Sequence, residues 1–529
     1  MSKNTKPIFT ASEGMKNEYC AKIVRIGEMK NIEGSDFLVQ TIVDGNSIVI
    51  SKGMFETGEP VIYCMNETQL NKEFLSVNNQ FEIGSLELNQ NAKEVMALLD
   101  EGKNDEAKKL VGFFNKHGRV KLIRLRGCPS YGCIFKKESL AIWNKKIADV
   151  NLEDYFTVDE NGYEHPFEFD TVDGKLFAEA YVPPMPEVRH GRGDKLYRKR
   201  MKKLQRFDRM VPGQFSYHFD TNQLQSNMWR FTPQTIVNVS VKVHGTSSID
   251  TNILTRIPIR MSITQKHHNK VVNRELKMLG RSEKRFYWQR DLTKKRRKAL
   301  ENSLIQNYRV DYGPVYSSRG VIKNQYINKQ VSKGFYGVDI WSEYGEMLKP
   351  YIPKGITVYS EICGYLTGSD KMIQKGYDYG CKRGENFIMP YRITFTDEQG
   401  NKTEWNVSEV YGWTVNLIKE HPELAQRVHP ITILYHGTLG DLYPEISTTE
   451  HWQENVLQAM KDDVEHFGME KNEPMCINKV PREGIVIRID NDEKAEAFKL
   501  KTDKFYEREK GIIDSGEVDM EMTDAYGQK

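Results

Sequence analysis

The sequence predicts an α+β chain: a small N-terminal β-barrel followed by a larger part in which β-rich runs mix with helices. Three observations point there. Short β-branched runs punctuated by glycine crowd the early chain; longer apolar runs that end on a single lysine or acid recur after residue 236; and helical periodicity appears between them, as in residues 452–467. The 529 residues with 39% apolar content can bury a sizeable core, and by length they hold about two to three domains.

Taken in order, residues 21–26, 37–43 and 47–51 are short β-rich runs, the last two joined across Asp44-Gly45-Asn46, a tight hairpin turn. Residues 58–64 and 121–127 complete about five strands. That number with glycine-rich turns is consistent with an OB-fold, a barrel that reads single strands and duplex backbones, although a different small barrel fits the same pattern. Between them, residues 91–114 have helical spacing (Val95, Leu98, Leu99, then Ala107, Leu110, Val111, Phe114) and read as a helical insertion. The N-terminal domain is set at residues 1–180. Pro183-Pro184-Met185-Pro186 and the basic block after it form a stiff linker, 181–206. The catalytic part spans 207–510, and the acidic residues Asp514, Glu517, Asp519, Glu521 and Asp524 make 511–529 a solvated tail.

Net charge is only +3, which excludes a global polycation, but the basic residues cluster. One block runs from Arg189 to Arg209 and includes Lys199 and Arg200. A second runs from Arg281 to Lys298, includes Arg296 and Arg297, and embeds Phe286, Tyr287 and Trp288. Basic residues interleaved with aromatics suit a phosphate backbone and unstacked bases, with a solvated helical face as the plainer alternative. Cys20, Cys64, Cys128, Cys133, Cys363, Cys381 and Cys476 are an odd set without a C-x-x-C pair, which argues against a disulfide framework and a zinc site. The N-terminus has no secretory pattern, and no run approaches the roughly 18 apolar residues of a membrane span. A reduced, cytoplasmic, monomeric protein without membrane contact is the expectation.

Chemistry concentrates in four ordered segments. Lys242-Val243-His244-Gly245 follows the apolar run 236–241, so a strand delivers a lysine into a glycine turn. Residues 358–364 carry Glu361 into Gly364. Arg482-Glu483-Gly484 heads a β-branched strand, and Lys499 and Lys501 stand at period two, on one face of the last strand. A free lysine titrates at about 10.4, so on the order of one in a thousand is nucleophilic at neutral pH. Lys242 must therefore be activated by desolvation or neighbouring positive charge, which Lys499, Lys501 and a divalent cation supply. The same cations neutralise transferring phosphates, while Glu361 and Glu483 can ligate a metal or accept from a ribose hydroxyl.

Together these segments resemble motifs I, III, IV and V of the covalent nucleotidyltransferase superfamily, which comprises ATP- and NAD-dependent polynucleotide ligases and mRNA capping enzymes. Residues 315–324, with Arg319, look like motif Ia of RNA ligases, and residues 387–394, with Tyr391, are similar to motif IIIa, where an aromatic stacks on adenine; a core tyrosine is the alternative. The superfamily commonly has an acid two residues after the lysine, and this chain has His244, which puts any metal or sugar role there in doubt. The resemblance implies an OB-like barrel followed by a nucleotidyltransferase (adenylyltransferase) domain of antiparallel sheets flanked by helices. It implies Lys242, Lys499 and Lys501 as catalytic, and Val241, Arg319, Glu361, Tyr391 and Glu483 beside those lysines as the ATP pocket. Mg2+ or Mn2+ would sit on Glu361 and Glu483.

Relatives that carry their OB domain after motif V are disfavoured, because few residues follow Lys501. An OB domain ahead of the lysine, with Arg124-Leu125-Arg126-Gly127, Ser130 and Gly132 in its last strands, resembles an ATP-dependent RNA ligase class that seals nicks whose 3′-OH strand is RNA. The resemblance spans roughly residues 18 to 506. It implies RNA repair through a lysyl-AMP enzyme and a 5′-adenylated end, with nicked RNA duplex as partner, bound through Arg124, Arg126 and the basic blocks. A GTP-using capping-type guanylyltransferase and a non-catalytic RNA-binding protein on the same scaffold remain the alternatives.

Overall fold

The computed structural model describes residues 7–160, 162–184, 207–218, 221–285, 290–326, 338–490 and 496–517. The proposed linker therefore lies almost wholly outside the described residues, as do Lys199, Arg200, Phe286, Tyr287, Trp288, Asp519, Glu521 and Asp524.

In the N-terminal domain, β1 (Ala21–Arg25), β2 (Leu38–Val43), β3 (Asn46–Ser51), β4 (Pro60–Cys64), β5 (Cys133–Phe135) and β6 (Phe167–Phe169) fall into separate sheets. One is antiparallel in the order β5-β4-β1-β6, and β2–β3 form the predicted hairpin. Asp44 (φ 49°) and Gly45 (φ 73°) both adopt the positive φ that a two-residue hairpin turn demands. The sheets meet at Gly27, whose N–H donates to the Ile42 carbonyl at 2.9 Å, with no room for a Cβ, which would lie 2.6 Å from that oxygen.

Among the described residues these strands do not close into one hydrogen-bonded barrel. Residues 121–127, expected to supply a strand of it, give only Ile123–Leu125 paired with Cys128–Ser130, because the turn at Arg126 (φ 49°) and Gly127 (φ 84°) folds the segment back on itself. The core below is aromatic, with Phe74, Phe81, Phe114, Phe135, Phe169 and Phe177. The insertion is helical, α1 (Ala92–Asp100) and α2 (Asn104–Lys109) burying Val95 and Ala107 against Leu86.

The C-terminal part follows as β7 (Ile236–Lys242), β8 (Thr246–Pro258), α3 (Ile263–Arg285), α4 (Arg290–Ser303), β9 (Tyr308–Ser318), α5 (Ile340–Leu348), β10 (Ile356–Gly364), β11 (Asn386–Thr396), α6 (Val407–Glu420), β12 (Ile433–Thr438), α7 (Trp452–Asp462), β13 (Gly484–Ile489), β14 (Glu496–Lys501) and α8 (Asp503–Asp514). They build two five-stranded sheets. The first has the order Asn222–Gln223, β14, β13, β7, β12, and the second β9, β8, β10, β11, Lys402–Glu404. Every pairing is antiparallel except that of Asn222–Gln223 with β14.

Amphipathic helices cover both sheets. Val456, Leu457 and Met460 of α7 pack on Val237, Val239, Ile485 and Ile487, while Ile340, Tyr344 and Leu348 of α5 and Val410 and Leu417 of α6 pack on Val358, Ile362, Ile388 and Ile393. Burying each such side chain is worth about 1.5–3 kcal/mol, so these stripes fix the two sheets.

The N-terminal and C-terminal parts touch at several places. The Asp44–Gly45 turn abuts Gln225, and Ser226 Oγ donates to Asp44 Oδ2 at 2.7 Å. Arg119, its side chain 1% exposed, bridges Glu67 at 2.5 Å and Asp514 at 2.8 Å. Tyr131 donates to Asp503. Helix α8 thus extends past residue 510, and Asp514 and, in an ion pair with Lys375 at 2.6 Å, Glu517 are tied down where the sequence suggested a solvated tail.

Candidate nucleotidyl-transfer site

The candidate site forms where the chain passes from one sheet to the other. Lys242 is the last residue of β7, and Thr246 starts β8. Gly245 lies against the opposite strand so closely that a Cβ there would sit 2.2 Å from the Ile362 carbonyl oxygen. Its N–H donates to Glu361 Oε1 at 2.9 Å, and its carbonyl accepts from Gln374 Nε2 at 2.7 Å. The His244 N–H donates to the Tyr379 hydroxyl at 2.6 Å. Residues 374–379 therefore clamp the turn that aims Lys242.

Register does the rest. Lys242 pairs with Gly484, Gly484 with Lys501, and Val486 with Lys499, so the two lysines share a face beside Lys242. Lys242 Nζ lies 2.9 Å and Lys501 Nζ 3.3 Å from the same oxygen, Glu483 Oε1, on a side chain 3% exposed. Burial alone would raise the Glu483 pKa, but Lys242 and Lys501 overcome it and hold the carboxyl at about 2. It is a fixed anion and a weak base.

His244 Nδ1 is 3.8 Å from the other Glu483 oxygen, and its ring sits edge-on to Tyr377 and Phe505. Burial pushes its pKa down to about 4 despite Glu483, so the imidazole is neutral near pH 7. For Lys501, burial lowers the pKa, but Glu509 and Glu483 outweigh it and leave it well above the ordinary lysine value. Lys499 differs: burial lowers its pKa against the opposing charge of Glu18, an N-terminal-domain residue 2.6 Å from its Nζ.

The remaining sequence-derived residues are placed as follows. Val241 is buried and pairs with Ile485. Arg319 is exposed just past β9, and the Ser318–Ser248 pairing puts it at the Gly245 end of the sheet. Tyr391 on β11 holds His218 Nδ1 at 3.1 Å, its ring edge-to-face with that imidazole. Arg124 is engaged by Glu507 at 2.6 Å and Asp503 at 3.6 Å, and Arg126 is exposed on its turn. Arg296 and Arg297 lie on α4, inserted at the opposite end of β8 from Gly245. Glu18, Glu509 and His218 were not singled out from sequence. Gln374 and Tyr379 lie between Glu361 and Tyr391, and nothing in their spacing pointed at the Lys242 turn.

Among the described residues no group of three or more His, Cys, Asp or Glu converges as a metal cage. Glu483 already faces two ammonium groups, whereas Glu361 faces the turn through Gly245 N–H. Mg2+-like ions commonly take one or two carboxylates plus substrate phosphates. The residues thus fit a cation that arrives with phosphates, held through Glu361.

No family model matches the chain, and no curated protein does. Among solved structures, the chain is similar to Naegleria gruberi RNA ligase with PPi, at 14% identity over 94% of this chain and 100% of that one, with a TM-score of 0.49. Two point mutants of the same Naegleria gruberi ligase, each with ATP and Mn, match at 14% identity, with TM-scores of 0.48 and 0.47. They cover 93% and 92% of this chain and 99% and 98% of theirs.

Proposed function

We propose that the chain is an ATP-dependent RNA ligase that joins 3′-OH and 5′-phosphate ends at nicks through lysyl-AMP and 5′-adenylated RNA. One observation carries the reading: Lys242, at the end of a strand, shares a buried carboxylate with Lys501, and Lys499 stands on the same face. A binding protein has no use for two lysines sharing one buried acid with a third on the same strand face.

In the first step, deprotonated Lys242 Nζ attacks the α-phosphorus of ATP. The bond to the bridging oxygen breaks, and pyrophosphate leaves. Glu483 is too weak a base to store the proton, which passes to solvent; its role is to orient Nζ. Lys499 and Lys501 offset charge on the phosphates. A 5′-phosphate oxygen then displaces Lys242 from phosphorus, giving the 5′-5′ pyrophosphate. Last, the 3′-OH attacks the 5′-phosphorus, loses its proton and expels AMP. Val241 and Arg319 border the nucleotide, and Tyr391 stacks on its adenine. A divalent cation, Mg2+ or Mn2+, supplies phosphate charge neutralisation when bound at Glu361.

The test is label transfer from α-labelled ATP, with GTP in parallel, to denatured protein. Label from ATP is expected on the intact chain, and Lys242→Ala should reduce it at least about 1,000-fold, since nucleophile loss removes the covalent path. Absence of label from both nucleotides, on protein stripped of bound AMP by pyrophosphate, would leave the non-catalytic binding protein.

A further inference from the structure

Helices α3 and α4 form an antiparallel hairpin inserted between β8 and β9. His268 Nε2 lies 2.8 Å from the Ser303 carbonyl, Asn269 donates to the Ile305 carbonyl at 2.7 Å, and Glu275 meets Arg296 at 4.0 Å. Among the described residues the main packing partner of each helix is the other. Lys266, Lys270, Arg274 and Lys277 recur every three or four positions along α3, within an arc of about 80° on the helix. The side facing α4 is a different one, carrying His268, Asn269, Glu275 and the buried Val272. Lys266, Lys270, Arg274 and Lys277 are all exposed.

We infer that this hairpin is an arm whose basic stripe holds the phosphate backbone of a nucleic acid duplex well away from the reacting ends. The inference rests on the proposed RNA substrate. The 13 residues of β8 separate Gly245 from the arm by roughly 40 Å at about 3.3 Å per residue. At about 3.4 Å per nucleotide this is on the order of a dozen nucleotides of duplex. A stripe of single-sign charge extending roughly 17 Å from Lys266 to Lys277 at about 1.5 Å per residue matches a line of phosphates. A membrane surface fits less well. Among the described side chains of α3, only Ile263, Val271 and Met278 are exposed large apolar groups, too few for the continuous apolar face of an interfacial helix.

The test uses the full-length protein with Lys266, Lys270, Arg274 and Lys277 all changed to Gln. Binding is measured by filter retention on nicked RNA duplexes with about 6 or about 24 base pairs beside the nick, across a salt series, with anionic phospholipid vesicles in parallel. Affinity for the long duplex is expected to fall at least about tenfold, and its log–log salt slope to shrink by about 3, as four phosphate contacts are lost. The short duplex and lysyl label transfer should be unaffected. No loss, an equal loss on both lengths, or wild-type preference for vesicles over long RNA would overturn the arm. Length-dependent loss in a protein that takes no label at all would keep the arm and sink the ligase reading. If the variant alone loses label, the same comparison is made with the charge-retaining set Lys266→Arg, Lys270→Arg, Arg274→Lys and Lys277→Arg; it must keep long-duplex affinity, and its failure to do so counts against the arm.

Discussion

At the scale of single residues, the site is a balance of buried charge, and the same low-polarity interior raises a second acid. Asp250 lies within β8, fully buried; Oδ2 accepts from Ser248 at 2.9 Å while Oδ1 has no hydrogen-bond partner among the described residues. Burial, opposed by that one hydrogen bond, pushes its pKa up to about 7. Because the folded value exceeds the unfolded one of about 3.9, the native state holds the proton longer. Asp250 therefore withdraws stability as pH rises from about 4 to about 7, and none below that window. Asp250→Asn should stabilise the protein at pH 7, by on the order of 4 kcal/mol, seen as a higher melting temperature, and leave it nearly unchanged at pH 4. Lys242, Glu483, Lys499 and Lys501 were legible in sequence because strand period and a following glycine dictate where they point. Glu18 was not, since it reaches Lys499 across 481 residues of chain and no local pattern encodes such a meeting.

At the scale of elements, the crossing between the sheets is the most constrained point. Gly245→Ala would drive a Cβ into the Ile362 carbonyl, with Glu361 and Cys363 also within 3.0 Å. Label transfer is expected to fall at least about 100-fold, since a displacement of about 1 Å at a reacting group is enough for that, while the far-ultraviolet spectrum stays native. Retained label would mean that the turn can relax without moving Lys242. The strands at Lys242, Glu361, Glu483 and Lys499 could be read from their alternating or β-branched runs, whereas the start of α6, fixed by the reciprocal capping pair Asn406 and Glu409, was not read. The N-terminal barrel could be read only as short strands. Closure is decided by which edges pair, and the turn at Arg126–Gly127 turned an expected barrel strand into a local hairpin.

At the scale of the whole molecule, the domains are joined through charges placed on α8 and β14. Arg119 is the clearest joint, a buried guanidinium shared between Glu67 and Asp514. Arg119→Met should destabilise the protein by about 3 kcal/mol, because it leaves partly buried acids without their cation. A lowered first thermal transition would report it, and an unchanged melt would show that the docking rests elsewhere. The Glu18–Lys499 pair extends this dependence into the site itself. As a unit of exchange, the N-terminal domain is therefore bound to its partner. A foreign domain grafted ahead of residue 207 would inherit the pocket's residue list but not its charge, unless it also brought an acid to where Glu18 stands.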